Sequence, residues 1–451
     1  MTRATSAADS RRFAHELVDL LFDHVESIAD RPVVDWKPEA DLAQLVRIDG
    51  EVQPPLDLAR LVAQSSIQLH HPSYMGHQVC PPIHEASAAD WLISVLNQST
   101  AVWEMSPIGT AIEKEVVRWL CNLAGYPETA LGTAVSGGSA ANLTGLMAAR
   151  ARFRAEAATM EKKPIVVASA DAHYSVARAA AIMGIPNVDV VKVATDDAHR
   201  MDVDALEETL AAIDARDDAA LLAIVATAGS TATGAFDRLD EIALLRDRYR
   251  TWLHVDAAHG ASVLLSRRFA PLVRGLERAD SFSWDPHKMM WMPLSLGTIL
   301  VRDGIWLRRA FEADAPYLFH GGGANIGEVT IQCSKRADAI KLWLVLKSAG
   351  ITPIVDALER TADLTRYLHD RIVASDDFEA VHEPSLNILC FRKRGLDNEQ
   401  TADLRERLIR SGRAWITSTL LRGERVLRVT MMNPRTTESD VDAMLDALRS
   451  V

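Results

Sequence analysis

A single lysine, Lys288, stands in the stretch "SWDPHKMMW", residues 283 to 291, among two tryptophans and two methionines, with Asp285 and His287 just before it. An ammonium group loses hydration in apolar surroundings. Such a lysine either carries its charge out to water or serves as an amine of depressed pKa in a dry pocket. Other segments offer chemistry as well. "AVSGGSAANLTGL", 134 to 146, sets Gly137, Gly138 and Ser139 where a helix opens. Free N–H groups and the helix dipole can hold a phosphate there, or the glycines simply cap the helix. The stretch is neither a Walker loop nor GxGxxG. "LHVDAAHG", 253 to 260, places His254 and Asp256 on one face of a strand. With His259 they would suit a metal ion. Alternatively Asp256 caps the next turn, or pairs with a protonated heterocycle that Ala257 and Ala258 are small enough to admit. "TAGSTATG", 227 to 234, supplies hydroxyls, and His173 in "ADAHYSVARAA" precedes a helix.

The surrounding pattern says what must position these groups. Residues 9 to 29 carry Phe13, Leu17, Leu20, Leu21, Val25 and Ile28 at helical spacing, and "LDLARLVAQSS" is a second short helix. They predict an N-terminal helical arm over 1–70 that covers another domain or subunit. From about residue 110, helices alternate with the apolar runs "PIVVAS", "VDVVKVA", "LLAIVATAG", "WLHVDAA", "DSFSW" and "GTILVR". That alternation predicts an α/β fold with a mainly parallel sheet covered on both faces, over 71–340. Beyond it, the helices "KRADAIKLWLVLKSAG" and "NEQTADLRERLIRSG" and the strands "SLNILCFRK", "RAWITSTLL" and "RVLRVTMM" predict a smaller α/β domain over 341–451 on a mostly antiparallel sheet.

Bulk composition narrows the function classes. The chain has 451 residues, 48% hydrophobic and 24% charged, which is an ordinary globular profile. A net charge of −12 argues against nucleic acid as a partner. The four cysteines have no paired spacing, so neither a zinc cage nor a disulfide framework is expected, and a reducing compartment is. With neither a signal-peptide core nor an apolar run of roughly 18 residues, a soluble cytoplasmic protein is expected.

Taken together, a phosphate-type loop, a histidine, a hydroxyl-rich loop, an aspartate and a lysine each follow a predicted strand of one parallel sheet. That combination suits pyridoxal 5'-phosphate held as a Schiff base on Lys288. The chain resembles the group II pyridoxal-phosphate-dependent amino-acid decarboxylases, which act on glutamate, aromatic amino acids, cysteine sulfinate and 2,4-diaminobutyrate. "HPSYMGH", "SGGSAANL", "DAHYSVARAA", "ATAGSTATGAFD", "HVDAAHG", "DSFSWDPHKMM", "YLFH" and "LRVTMMNPRTT" carry the resemblance, from about residue 70 to the end.

The resemblance implies an aspartate aminotransferase-like, fold type I architecture and a homodimer with its active site at the subunit interface. It implies that Lys288 forms the internal aldimine and that Asp256 pairs with the pyridine nitrogen. His173 and Ala258 would cover the two ring faces, Thr227 would touch the cofactor, and Gly138 and Ser139 would bind phosphate, with His287 beside the lysine. Arg428, before "MMNP", would hold the substrate α-carboxylate. Tyr74, His77 and His320 would face the substrate side chain, favouring a small polar or acidic amino acid, decarboxylated to its amine, over an indole or catechol. One segment departs from the family. Relatives carry a tyrosine proton donor on a loop that here reads "GGGANIGEVTIQCSKR", 321 to 336, without any tyrosine. Its glycines predict a mobile lid. His320, Lys288 or a water would then donate the proton, or the carbanion would react with oxygen in a decarboxylation-coupled oxidative deamination to an aldehyde. A metal-dependent hydrolase on His254, Asp256 and His259 would leave Lys288 unexplained.

Overall fold

The structure, a computed structural model, describes residues 6–49, 52–312 and 325–451. The chain forms two compact units, one of Cys80–Asp363 with His382–Ile388 and one of Met1–Val79, Leu364–Val381 and Leu389–Val451.

In the first unit the apolar runs become the strands of a seven-stranded sheet. They are β1 (Leu131–Val135), β2 (Lys163–Ser169), β3 (Val190–Val193), β4 (Ala219–Thr227), β5 (Trp252–Asp256), β6 (Ser281–Trp284) and β7 (Gly297–Val301). Their order is β1-β7-β6-β5-β4-β2-β3. Neighbours from β3 to β6 pair in parallel, and β7 alone runs against both β6 and β1. Strands β5, β6 and β7 are buried along their whole length, as continuous apolar runs in a two-side-covered sheet should be. Helix Gly138–Ala155 packs on the sheet through Ala141, Gly145, Leu146, Ala148 and Ala149. Gly145 sets the distance, because a Cβ there would lie 2.6 Å from the His254 ring.

Of the segment 321–336, the described stretch 325–336 is packed against the core, while the three glycines that predict a lid lie outside the described residues. Ile326 and Val329 are buried in the main core, Asn325 Oδ1 accepts from Trp103 N at 3.0 Å, and Gly327 N donates to Ala101 O at 2.8 Å. Lys335 Nζ lies 2.7 and 2.6 Å from the two carboxylate oxygens of Glu113, with both side chains 2% exposed. Thr133 Oγ1 and Ala134 N each donate to Glu113 Oε1 at 2.9 Å, so the pair also braces β1. Residues 321–324, and His320 with them, lie outside the described residues.

The second unit interleaves both ends of the chain. Strands β8 (Phe378–Ala380), β9 (Ile388–Lys393), β10 (Thr417–Leu421) and β11 (Glu424–Thr430) form a sheet of order β10-β11-β9-β8. Helices Asn398–Arg410 and Glu438–Ser450 each open on a capping box, Asp397 with Gln400 and Thr437 with Asp440. The N-terminal segment is built into this unit. Val33 N donates to Gly412 O and Met75 N to Trp415 O, both at 2.9 Å, while Val33, Val34, Tyr74, Ile409 and Trp415 form one apolar cluster. Helix Ala7–Glu26, by contrast, buries none of its residues.

Breaking a buried ion pair from one side leaves an uncompensated charge. Lys335→Met should therefore lower stability by roughly 3–5 kcal/mol, and Glu113→Gln combined with it should cost less than the single change. Chemical denaturation of the two variants measures this; equal losses would show that the charge pairing contributes nothing.

Candidate active site

Strands β1, β2, β4, β5 and β6 all point the same way, so their carboxyl ends share one edge of the sheet, where ligands of parallel sheets bind. Gly138 follows β1, His173 follows β2, Thr227 ends β4, Asp256 ends β5 and Lys288 follows β6. Thr227 is paired with Asp256, and Asp256 with Ser283, in register. The structure thus brings these sequence-predicted residues to one edge.

Lys288 Nζ lies 3.1 Å from Asp285 Oδ2, its side chain 19% exposed. The amine is therefore paired with a carboxylate; Met289, Met290 and Trp291, its apolar neighbours in sequence, turn into the core. Asp285 Oδ2 also accepts from Gly138 N at 3.0 Å, and Asp285 N donates to Ala258 O at 3.0 Å. One buried aspartate thereby joins the glycine loop, the Ala258 turn and the lysine turn. Its other oxygen, Oδ1, is buried without a hydrogen-bond partner among the described residues. His287 Nδ1 lies 2.7 Å from Leu296 O, and burial lowers its pKa against the opposing pull of Asp285. Gly138 has no room for a side chain: a Cβ would fall 2.9 Å from Ala258 Cβ and 3.1 Å from Asp285 Oδ2. Ser139 beside it is exposed.

Asp256 is held by donors only. Asn142 Nδ2 donates to Oδ2 at 2.8 Å, and Ser283 Oγ and Ala258 N donate to Oδ1 at 3.1 and 3.3 Å. Asn142 also contacts Ser175 Oγ at 2.9 Å through Nδ2 and His254 Nε2 at 3.0 Å through Oδ1. His254 Nδ1 lies 2.8 Å from Ser281 Oγ. Burial pushes the His254 pKa down to about 4 although Asp256 pulls it up. His173 Nδ1 lies 2.8 Å from Ser175 Oγ, and burial is the main cause of its lowered pKa. Thr227 N donates to Asp237 Oδ2 at 2.7 Å, and burial raises the Asp237 pKa to about 6. Sequence reasoning passed over Asn142, Asp237 and Asp285 as functional positions. Each lies inside a quoted motif, but only its contacts reveal its part.

The metal reading fails on these contacts. Both ring nitrogens of His254 and both oxygens of Asp256 are engaged, and His259 Nε2 lies 2.8 Å from Asn387 Oδ1. Among the described residues no cluster of three or more His, Cys, Asp or Glu is placed to hold a metal ion.

Arg428, Tyr74 and His77 belong to the other unit. Arg428 stands opposite Thr417 on neighbouring strands, its Nη1 3.3 Å from Thr417 Oγ1. It is 5% exposed, and burial lowers its pKa while Cys390 and Tyr74 act to raise it. His77 N donates to the Tyr74 hydroxyl at 3.3 Å. Burial, then the charges of Arg428 and Arg405, lowers the His77 pKa.

Residues 57–394 match the pyridoxal-dependent decarboxylase conserved domain. The chain is 34% identical to the L-2,4-diaminobutyrate decarboxylase of Rhizobium meliloti, over 87% of this chain and 80% of that one. It is 31% identical to the cysteine sulfinic acid decarboxylase of Rattus norvegicus over 93% and 91% of the two chains, and 30% identical to the acidic amino acid decarboxylase of Homo sapiens over 98% and 91%. The crystal structure of mouse CSAD in apo form superposes with a TM-score of 0.91 at 28% identity, covering 98% of this chain and 99% of that one. The chain belongs to the pyridoxal-dependent decarboxylase family. It is an amino-acid carboxy-lyase of fold type I that depends on pyridoxal phosphate.

The donor set fits that cofactor. Thr227 Oγ1 is buried and finds no hydrogen-bond partner among the described residues, Asp256 presents only acceptor atoms, and an amine stands at Lys288 on the same edge. Gly138→Ala should raise the pyridoxal phosphate dissociation constant about tenfold or more through its clash with Ala258, read by titrating apoprotein with the cofactor. Unchanged affinity would show that the loop has room to yield. Acid should also act through His254. Its folded-state pKa lies below the ordinary 6.5, so between 6.5 and about 4 the unfolded chain binds a proton that the folded chain refuses. Stability is full above that window and falls as pH drops through it. His254→Gln should flatten this slope in denaturation series from pH 7 to 4.5.

Proposed function

We propose that the enzyme decarboxylates a small polar or acidic L-amino acid to the corresponding amine. The observation that carries the site assignment is the alignment of Lys288, Asp256, Thr227 and His173 on one sheet edge, with a partnerless buried hydroxyl at Thr227. Bound pyridoxal phosphate supplies the electron sink that takes up the electron pair left when CO₂ departs. Lys288 is the amine for its aldehyde. Asp256, an acceptor fixed by three donors, would hold the protonated pyridine nitrogen. His173 and Ala258 would pack against the ring, and Thr227 would offer its hydroxyl to the cofactor. Gly138 and Ser139 would hold the phosphate, with His287 beside the lysine. As the family resemblance implies, Arg428 would hold the α-carboxylate, which would set the angle of the scissile bond, and Tyr74, His77 and His320 would be the residues for the substrate side chain.

The substrate class rests on the polar character of Tyr74, His77 and His320 and on relatives named for 2,4-diaminobutyrate, cysteine sulfinic acid and acidic amino acids. A relative from Bacillus atrophaeus at 29% identity is named for aromatic amino acids, so the assay must include them. The enzyme works as a homodimer in the cytoplasm. Apolar side chains left open support the pairing: Trp91 is 54% exposed, Val95 68% and Ile108 62%. Among the described residues no helix is long and apolar enough to cross a membrane.

A second reading keeps the site and changes the product. Because 321–336 holds no tyrosine, dioxygen with water would convert the amino acid to aldehyde, CO₂, ammonia and hydrogen peroxide. Turnover of glutamate, aspartate, cysteine sulfinate, 2,4-diaminobutyrate and aromatic amino acids, with CO₂ and peroxide measured together, separates the two. CO₂ without peroxide, from an acidic or diamino substrate and lost in Lys288→Ala, is the expected result. Peroxide equal to CO₂ would establish the second reading, and preference for an aromatic substrate would overturn the substrate class. Val95→Glu should shift sedimentation from dimer towards monomer.

A further inference from the structure

The hydrogen bonds around Asn142 form a chain whose direction is fixed at Asp256. Its carboxylate only accepts, so the amide atom 2.8 Å from Oδ2 is Asn142 Nδ2, and Asn142 Oδ1 faces His254 Nε2 at 3.0 Å. An amide oxygen also only accepts, so His254 Nε2 carries a proton and donates it. His254 is wholly buried, and burial keeps its ring neutral. With its one proton on Nε2, His254 Nδ1 accepts from the Ser281 hydroxyl at 2.8 Å, and Ser281 Oγ accepts from Trp252 Nε1 at 2.9 Å. The other N–H of Asn142 goes to Ser175 Oγ at 2.9 Å. Ser175, now an acceptor from Asn142, has its own proton left for His173 Nδ1 at 2.8 Å, and Ser175 N approaches the same nitrogen at 3.3 Å.

We infer that Asn142 is a positioning residue that, through Ser175, holds His173 as the tautomer protonated on Nε2, while its second N–H orients Asp256. Neutral His173 then meets its surroundings beyond Ser175 as a hydrogen-bond donor, and it cannot act there as a base. One amide thus contacts two of the groups assigned to the reaction, its direction fixed by Asp256 and its oxygen held by the chain of His254, Ser281 and Trp252. The inference rests on the proposed function only for what His173 and Asp256 face; the tautomer belongs to the protein alone.

Neutron diffraction from deuterium-exchanged crystals of the cofactor-loaded enzyme locates these protons directly. The expected map shows deuterium on Nε2 of both His173 and His254, and none on Nδ1 of either. Deuterium on His173 Nδ1 would overturn the inference. Asn142→Asp is the companion variant. Its second carboxylate oxygen would accept from Ser175, whose proton would leave His173, so His173 should switch to the Nδ1-protonated tautomer. The new charge beside Asp256 should raise the cofactor dissociation constant by about 10- to 100-fold. A folded Asn142→Asp protein with the His173 tautomer unchanged would also overturn it. Ser175→Ala covers the case in which that variant does not fold: only the longer 3.3 Å approach of the residue-175 N–H then remains at Nδ1, and deuterium should appear on Nδ1. A purely structural Asn142 would move stability and leave the tautomer alone. Failure of the functional reading would show separately, as absence of cofactor absorbance with the wild-type tautomer as expected.

Discussion

The site depends on how closely helix Gly138–Ala155 lies against β5. A helix carrying larger side chains on that face would stand away from the sheet, beyond the reach of an asparagine amide. Gly145 removes the obstacle at the one place where the His254 ring would meet it. Asn142, nearly a turn earlier, then contacts His254 and Asp256 together. The same helix begins at the glycine loop, so the approach that places Asn142 also brings Gly138 against Ala258 and Asp285. Packing distance and polar geometry are set by one contact.

Much of this was legible in the sequence. The six apolar runs after residue 160 are strands β2 to β7, because buried parallel strands read as unbroken β-branched and aliphatic stretches. The strand-end positions of His173, Asp256 and Lys288 followed from the same runs. Strand order and the reversed direction of β7 did not, since "GTILVR" reads the same whichever way it runs. Helix His84–Leu96 was missed for a physical reason too. Its outward face carries Trp91, Leu92, Val95 and Leu96 at 45–68% exposure, which blurs the amphipathic pattern that marks a surface helix.

The polar network was less legible than the fold. Asn142 in "SGGSAANL" and Asp285 in "WDPHK" stand within motifs, yet the partners that tie them together across the site, His254, Asp256 and Gly138, lie 112 to 147 residues away in sequence. Spacing rules describe neighbours on one helix or strand and say nothing about such pairs. The segment 325–336 shows the same limit: its polar residues suggest exposure, but Lys335 finds a carboxylate at residue 113 that no local pattern announces. Lys288 misled in another way: apolar neighbours along the chain did not mean apolar neighbours in space.

The division of the chain into units bears on how the protein is made. Residues up to Val79 share a unit with Leu364–Val381 and Leu389–Val451, while Cys80–Asp363 forms most of the other. On a ribosome the early strands and helices of that middle portion can begin to assemble as they emerge. The N-terminal segment must wait for partners such as Ile409 and Trp415, a delay of roughly 15 to 75 s at ordinary elongation rates. Throughout that interval Val33, Val34 and Tyr74 lack the surface they will bury against, so the nascent chain presents a sticky leading end.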